Sequence, residues 1–215
     1  MPLVAKVIGH RAFALAAIVG AGVWFLVVPA LTGDLGANPL EELLHRCGEI
    51  AIWLLGTVLA LSPLRVIFPR SAIIAALNRH LRRIGVSAFI YGSLHLTCHI
   101  LYEGGWDGFR ASWSKPFILV GLTGWSILLV LAATSSNWAT RKLGGKNWKR
   151  LHRLAYVAAG VLLYHQAIAG KGHWYVTKWL LFPLLALQLA RIVIEFTRRR
   201  ATPTNPSCAG AAGVS

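Results

Sequence analysis

Charge is scarce in this chain, and negative charge scarcest of all. Of 215 residues 13% are charged, and seven are Asp or Glu against 22 Lys or Arg. With 56% hydrophobic residues and a mean hydropathy of +0.58, this composition excludes an ordinary soluble domain, in which about 25% of residues are charged. Cysteine is sparse too. Cys47, Cys98 and Cys208 fall in three separate regions with no C-x-x-C, which argues against a disulfide framework, a zinc site or an iron–sulfur cluster and reads them as structural thiols. No G-x-G-x-x-G occurs, so the chain shows no dinucleotide-binding turn. The apolar segments carry no embedded Asp or Glu of the kind that relays protons, and no paired Gly/Pro-broken helices that would mark an inverted-repeat transporter.

What remains is long apolar runs. A bilayer core about 30 Å thick asks for roughly 20 apolar residues per helix, and six segments approach that length: 13–31, 47–64, 84–102, 117–133, 152–168 and 174–196. The second and fifth are shorter or begin among polar residues. The expected architecture is all-α, a polytopic membrane bundle of six transmembrane helices over residues 1–200, followed by a polar, disordered cytoplasmic tail, 201–215. The first run follows Lys6 and Arg11 as a signal peptide would, but it is longer than the 7–15 residues or so of a signal core and no clean cleavage site follows.

The net charge of +15 and the pI near 10.8 reflect where the loops lie rather than a surface for nucleic acid. Counted over alternate loops, 17 Lys and Arg fall on one side and five on the other. That is the positive-inside pattern; it places both termini in the cytoplasm, with lipid as the surrounding partner, and the family resemblance described below implies a bacterial inner membrane. Six of the seven acids, Asp34, Glu41, Glu42, Glu49, Glu103 and Asp107, fall on the outer side, an acidic face for a partner there.

Histidine within apolar runs needs a reason, because an imidazole in hydrocarbon is costly unless paired or bound to a metal. His95 and His99 lie on the third segment, His152 and His165 on the fifth. His152 and His165 are 13 residues apart, about 20 Å along a helix, and cannot share one iron. Arg83 to His95 and Arg153 to His165 are both 12 residues, so those two imidazoles should lie at matching depth and clamp a haem in the outer half of the membrane. His99, one turn from His95, is a candidate for a supporting contact beside the haem rather than a ligand. His152 lacks a matching histidine, since the position 13 before His95 is Arg82. Each of these residues could instead be polar glue between helices. His45 reads as an interface residue, and His10, His80 and His173 as boundary residues with no required role.

Several stretches together resemble a known family: Arg82-Arg83-Ile84-Gly85-Val86-Ser87-Ala88-Phe89, Tyr91-Gly92-Ser93-Leu94-His95, Lys115-Pro116-Phe117-Ile118-Leu119-Val120-Gly121, Thr134-Ser135-Ser136, and Trp148-Lys149-Arg150-Leu151-His152-Arg153-Leu154-Ala155-Tyr156 with His165. In order and placement they are similar to the MsrQ (YedZ) family within the ferric-reductase-like transmembrane group, with a core at about 48–170. The resemblance implies a haem b membrane subunit that passes electrons outward to a periplasmic, molybdopterin-containing MsrP-like methionine sulfoxide reductase for repair of oxidised periplasmic proteins. It also implies haem ligation at His95, His152 and His165, and FMN as a further cofactor, although no flavin phosphate site stands out. His99 falls where the family is expected to carry Tyr, so no role is inherited there. The donor is left open between the quinone pool and a cytoplasmic flavin reductase. Competing readings are a proton-relay transporter, another cytochrome b subunit of a ferric-reductase-like oxidoreductase, and a structural anchor for a periplasmic enzyme.

Overall fold

The computed structural model describes residues 3–169 and 174–201. His173, Cys208 and the tail beyond residue 201 lie outside the described residues. The described chain is helical. α1 (Leu3–Gly9) leads into α2 (Arg11–Gly22), a π-helical turn (Val23–Val27) and α3 (Val28–Thr32), and the long α4 (Pro39–Ile67) follows. Then come α5 (Ala72–Asn78), α6 (Leu81–Tyr102), α7 (Trp106–Ser112), α8 (Pro116–Ala133), α9 (Asn137–Leu143), α10 (Gly145–Leu151), α11 (Leu154–Ile168) and α12 (Trp174–Ala201).

Local chemistry sets the ends of α4. Asn38 caps it, accepting from the Glu41 amide at 3.4 Å; Pro39 occupies the first turn, and Glu41 and Glu42 complement the helix dipole there. Two prolines then release carbonyls that hydrocarbon would leave unsatisfied at a cost of several kcal/mol. Pro29 has no N–H for the Phe25 carbonyl, and the chain widens into the π-helical turn just before it. The Arg46 guanidinium donates to that carbonyl at 3.1 Å. Pro63, inside α4, releases the Leu59 carbonyl, which accepts from Gln188 Nε2 on α12 at 3.2 Å. Each proline thereby becomes a point where a side chain ties two helices together.

The bundle is built on two helix pairs. α4 packs most extensively on α6, and α8 on α11, with α12 laid against α4. Leu55, Leu59, Ala88, Leu128, Leu131, Ala158 and Ala159 fill the crossing point; Ala88 and Ala158 are fully buried, small enough to let backbones approach. Trp24, Phe25, Trp179, Phe182 and Leu189 project outward, as expected of a surface solvated by lipid rather than water.

Among the described residues, five helices are long and apolar enough to cross a membrane: 11–32, 39–67, 81–102, 116–133 and 178–198. The six-span expectation is not met in full. Its fifth segment appears as α11, 15 residues long, about 22 Å of rise against a core of about 30 Å. His152 and Arg153 form a turn instead of a first helical turn, because the His152 amide closes α10 by donating to the Trp148 carbonyl at 2.9 Å. α11 nonetheless packs inside the bundle against α8 and α4.

His80 also differs from its sequence reading. It is 2% exposed. Its Nδ1 is 2.8 Å from an Arg83 guanidinium nitrogen and its Nε2 is 2.9 Å from the Ile8 carbonyl. Guanidinium only donates, so Nδ1 accepts and Nε2–H donates, and a neutral imidazole fastens the N-terminal helix α1 to the start of α6.

Candidate functional site

A cavity of about 280 Å³ opens between α4, α6, α8 and α11, in the half of the bundle that carries Glu41, Glu49 and Glu103. His95 and His165 face each other across it. Their ring centres are 6.2 Å apart and their planes are inclined at 85°. Equal spacing from Arg83 and Arg153 foresaw the matching depth; the packing of the two helix pairs supplies the approach.

Both imidazoles are held by the same device. His95 Nδ1 is 2.8 Å from the Leu44 carbonyl on α4, and His165 Nδ1 is 2.7 Å from the Phe117 carbonyl on α8. A carbonyl can only accept, so each Nδ1 carries the proton and each Nε2 keeps a free lone pair. Four residues after each carbonyl stands a glycine. A Cβ on Gly48 would lie 2.9 Å from His95 Nδ1, and one on Gly121 would lie 2.8 Å from His165 Cε1. Glycine inside a helix costs about 1 kcal/mol relative to alanine; here the missing side chain makes room for a ring from the neighbouring helix. The sequence reading did not single out either glycine. The available signal was a helix-interior glycine four positions after the residue whose carbonyl is used, which is visible only once the helix neighbours are known.

This arrangement fits a bis-histidine haem. Imidazole nitrogens sit about 2 Å from a bound divalent metal, so one ion between two such nitrogens, with a ring radius beyond each, separates the ring centres by about 6 Å. A further feature of the cavity agrees. His99 Nε2 is buried without a hydrogen-bond partner among the described residues, its ring lying 6.0 Å from Phe109 and 6.2 Å from Phe117. A buried polar atom left unpaired costs about 1–3 kcal/mol, so His99 is poised to hydrogen-bond a bound group. His45, read from sequence as an interface residue, also lines the cavity, 3.9 Å from Glu41.

His152 is elsewhere. Its ring stacks on Trp148 with centres 4.0 Å apart, and Nε2 is 3.4 Å from Thr134 Oγ1. It does not line the cavity. Trp148 in turn donates to the Thr134 carbonyl at 2.9 Å, so Thr134, Trp148 and His152, all within stretches that carry the resemblance, form one cluster at the basic end.

The glycine cradle yields a measurable expectation. Gly48→Ala and Gly121→Ala should each push an imidazole off its carbonyl and weaken haem retention by about 10–100-fold, the usual cost of losing a partner that orients a metal-bound histidine. Gly20→Ala, where a Cβ meets nothing within 4 Å, should leave retention unchanged in a haem-titration assay. Equal retention in all three variants would show that ring placement does not depend on the cradle.

Comparison with known proteins agrees with these observations. Residues 47–163 match the family described as ferric reductase like transmembrane component. Among curated relatives, a protein of Bordetella pertussis is 33% identical over 205 residues, covering 93% of this chain and 96% of that protein. A protein of Rhodospirillum rubrum is 34% identical, covering 81% and 83%, and one of Herminiimonas arsenicoxydans is 37% identical, covering 68% and 67%. All three bear the name protein-methionine-sulfoxide reductase heme-binding subunit MsrQ. A helical membrane bundle with facing histidines, a match across the four helices that enclose them and near full-length similarity to such relatives place this chain in the MsrQ family of ferric-reductase-like transmembrane proteins.

Proposed function

We propose that this protein is the haem b electron-transfer subunit of a membrane methionine sulfoxide reductase system. It would take electrons from the quinone pool or a cytoplasmic flavin reductase and deliver them across the inner membrane to a periplasmic, molybdopterin-containing MsrP-like enzyme. The observation that carries this reading is the His95–His165 pair, 6.2 Å between ring centres, each Nδ1 tied to a backbone carbonyl. When bound there, haem supplies one-electron transfer, its potential set by its ligands and surroundings. The chain's own part would be to hold the two imidazoles, each Nδ1 tied to a carbonyl, across the slot between the helix pairs, and to offer the His99 ring as a hydrogen-bond partner at the acidic end. A haem held by both imidazoles would have no position open for substrate, which favours electron carriage over catalysis at this site.

His152 is retained as a third candidate ligand, for a second haem at the basic end, on the family resemblance. FMN is carried by that resemblance too. The relatives' names support the haem and the methionine sulfoxide system; the identity of the donor and the MsrP-like acceptor are part of the proposal.

The direction of transfer follows from the charge split, 17 basic residues on one side and five on the other. Reporter domains active only in the periplasm should work when fused at Gly105, which precedes α7, and fail at Gly144, which closes α9. The reverse pattern would invert the flow of electrons proposed here. A Soret band in the purified protein separates this reading from a transporter or an anchor, neither of which needs a chromophore.

A further inference from the structure

Two axial bonds fix where an iron sits but leave the porphyrin plane free to turn about the line joining the two nitrogens. Some third contact has to set that rotation. His99 stands one turn beyond His95 on α6, and both rings line the cavity. Phe109 of α7 and Phe117 of α8 flank the His99 ring edge-on, their centres 6.0 and 6.2 Å from its own. Its Nε2 is buried without a hydrogen-bond partner among the described residues. Other nitrogens of the slot are committed: His95 Nδ1 to the Leu44 carbonyl, His165 Nδ1 to the Phe117 carbonyl, and the Trp125 indole to Ser93 Oγ at 3.0 Å. His45 stands 3.9 Å from Glu41.

The charges nearby narrow what His99 can bond. Glu103 is one turn further along, its amide donating to the His99 carbonyl at 3.0 Å, and its carboxylate is held by Lys115 Nζ at 3.6 Å. That ion pair joins the end of α6 to the start of α8 and offsets the negative charge closest to His99. A haem carries two propionate carboxylates, which when ionised only accept hydrogen bonds and are costly to bury without a donor. Resting on the haem reading above, we propose that His99 is a positioning residue whose Nε2–H donates to one haem propionate, turning the propionate edge toward the acidic end of the bundle between α6 and α8. The carboxylate selects the ring form that carries a proton on Nε2. His95 and His165 would then fix the iron, and His99 the rotation about their common axis, with the propionate edge on the side where a partner would dock.

The test titrates the full-length chain, prepared free of haem, with haem and with haem dimethyl ester, in which both carboxylates are capped and uncharged. His99→Phe should weaken haem binding by about 10–100-fold, the range of one hydrogen bond to a charged group, and leave ester binding as in the wild type. His99→Gln, whose amide can donate from the same region, should restore most of that loss. In haem-loaded protein the propionate bending band of the resonance Raman spectrum should shift in His99→Phe and return in His99→Gln. A low-spin spectrum with the ester in every variant reports that His95 and His165 still clamp the iron. An equal fall for haem and ester would reduce His99 to a packing residue, and unchanged haem binding in His99→Phe would show that no carboxylate reaches it. Loss of the haem-over-ester preference in His45→Ala but not in His99→Phe would move the propionates to α4. Each of these results overturns the proposal. A wild-type chain that binds neither pigment sinks the haem reading and this inference together; one that binds both with a low-spin spectrum, yet shows no preference that depends on His99, sinks this inference alone.

Discussion

Replacing either His95 or His165 with alanine is expected to abolish the low-spin haem spectrum of the purified protein. In the proposed site each residue would supply one of the two nitrogens, the ring centres standing 6.2 Å apart, and an iron left with one imidazole would either change spin state or leave the slot. The loss should exceed the effect of the glycine variants, because a ligand is removed rather than tilted. His10→Ala is a fitting control: His10 caps α2 through the Ala12 amide at 3.3 Å and is exposed. His80→Ala is not, since its buried ring holds α1 to α6 and its loss would unfasten that end of the bundle. His152→Ala separates two arrangements. A partial loss of haem with the His95–His165 signal intact would establish a second site at the basic end; full retention would leave His152 with its stacking and hydrogen-bonding role beside Trp148 and Thr134. An unchanged spectrum in His95→Ala would remove the central assignment.

Deleting the protein from cells should stop repair of oxidised periplasmic proteins while leaving the periplasmic reductase folded and active with a reduced dye as artificial donor. The reasoning is positional. The haem proposed between His95 and His165 lies in the half of the bundle carrying Glu41, Glu49 and Glu103, and a haem near that surface is close enough to a docked protein to hand electrons on. The loss of repair should be near complete, whereas dye-driven turnover should stay within experimental error of the wild type. In a mixing experiment, reduced haem should reoxidise when the oxidised partner is added. Repair at the normal rate without this protein, or haem that stays reduced in the partner's presence, would show that the electrons travel elsewhere.

Much of this was legible without coordinates. Lipid demands runs of about 20 apolar residues, and those runs can be counted; Arg83 and Arg153 mark the basic ends of two helices, so equal counts to His95 and His165 set equal depth. The basic loops set orientation by the same linear logic. Depth and side are one-dimensional quantities, and a chain written in one dimension carries them. The fifth span was over-read at its polar start: the turn at His152 and Arg153 belongs to the end of α10, and α11 begins only at Leu154.

Which face of each helix meets which neighbour is another matter. Helices immersed in lipid are apolar all round, and without a hydrophobic driving force between them the partner is chosen by small residues, steric fit and scattered hydrogen bonds. Those terms depend on pairs of atoms far apart in sequence. Hence the pairing of α4 with α6 and of α8 with α11, the rings seated on Gly48 and Gly121, and the carbonyls of Leu44 and Phe117 that turn each imidazole all waited on tertiary structure. The sequence by itself determined that histidines would stand at one depth in a helical membrane bundle; only packing decided that two of them would face each other at the distance a single metal can bridge.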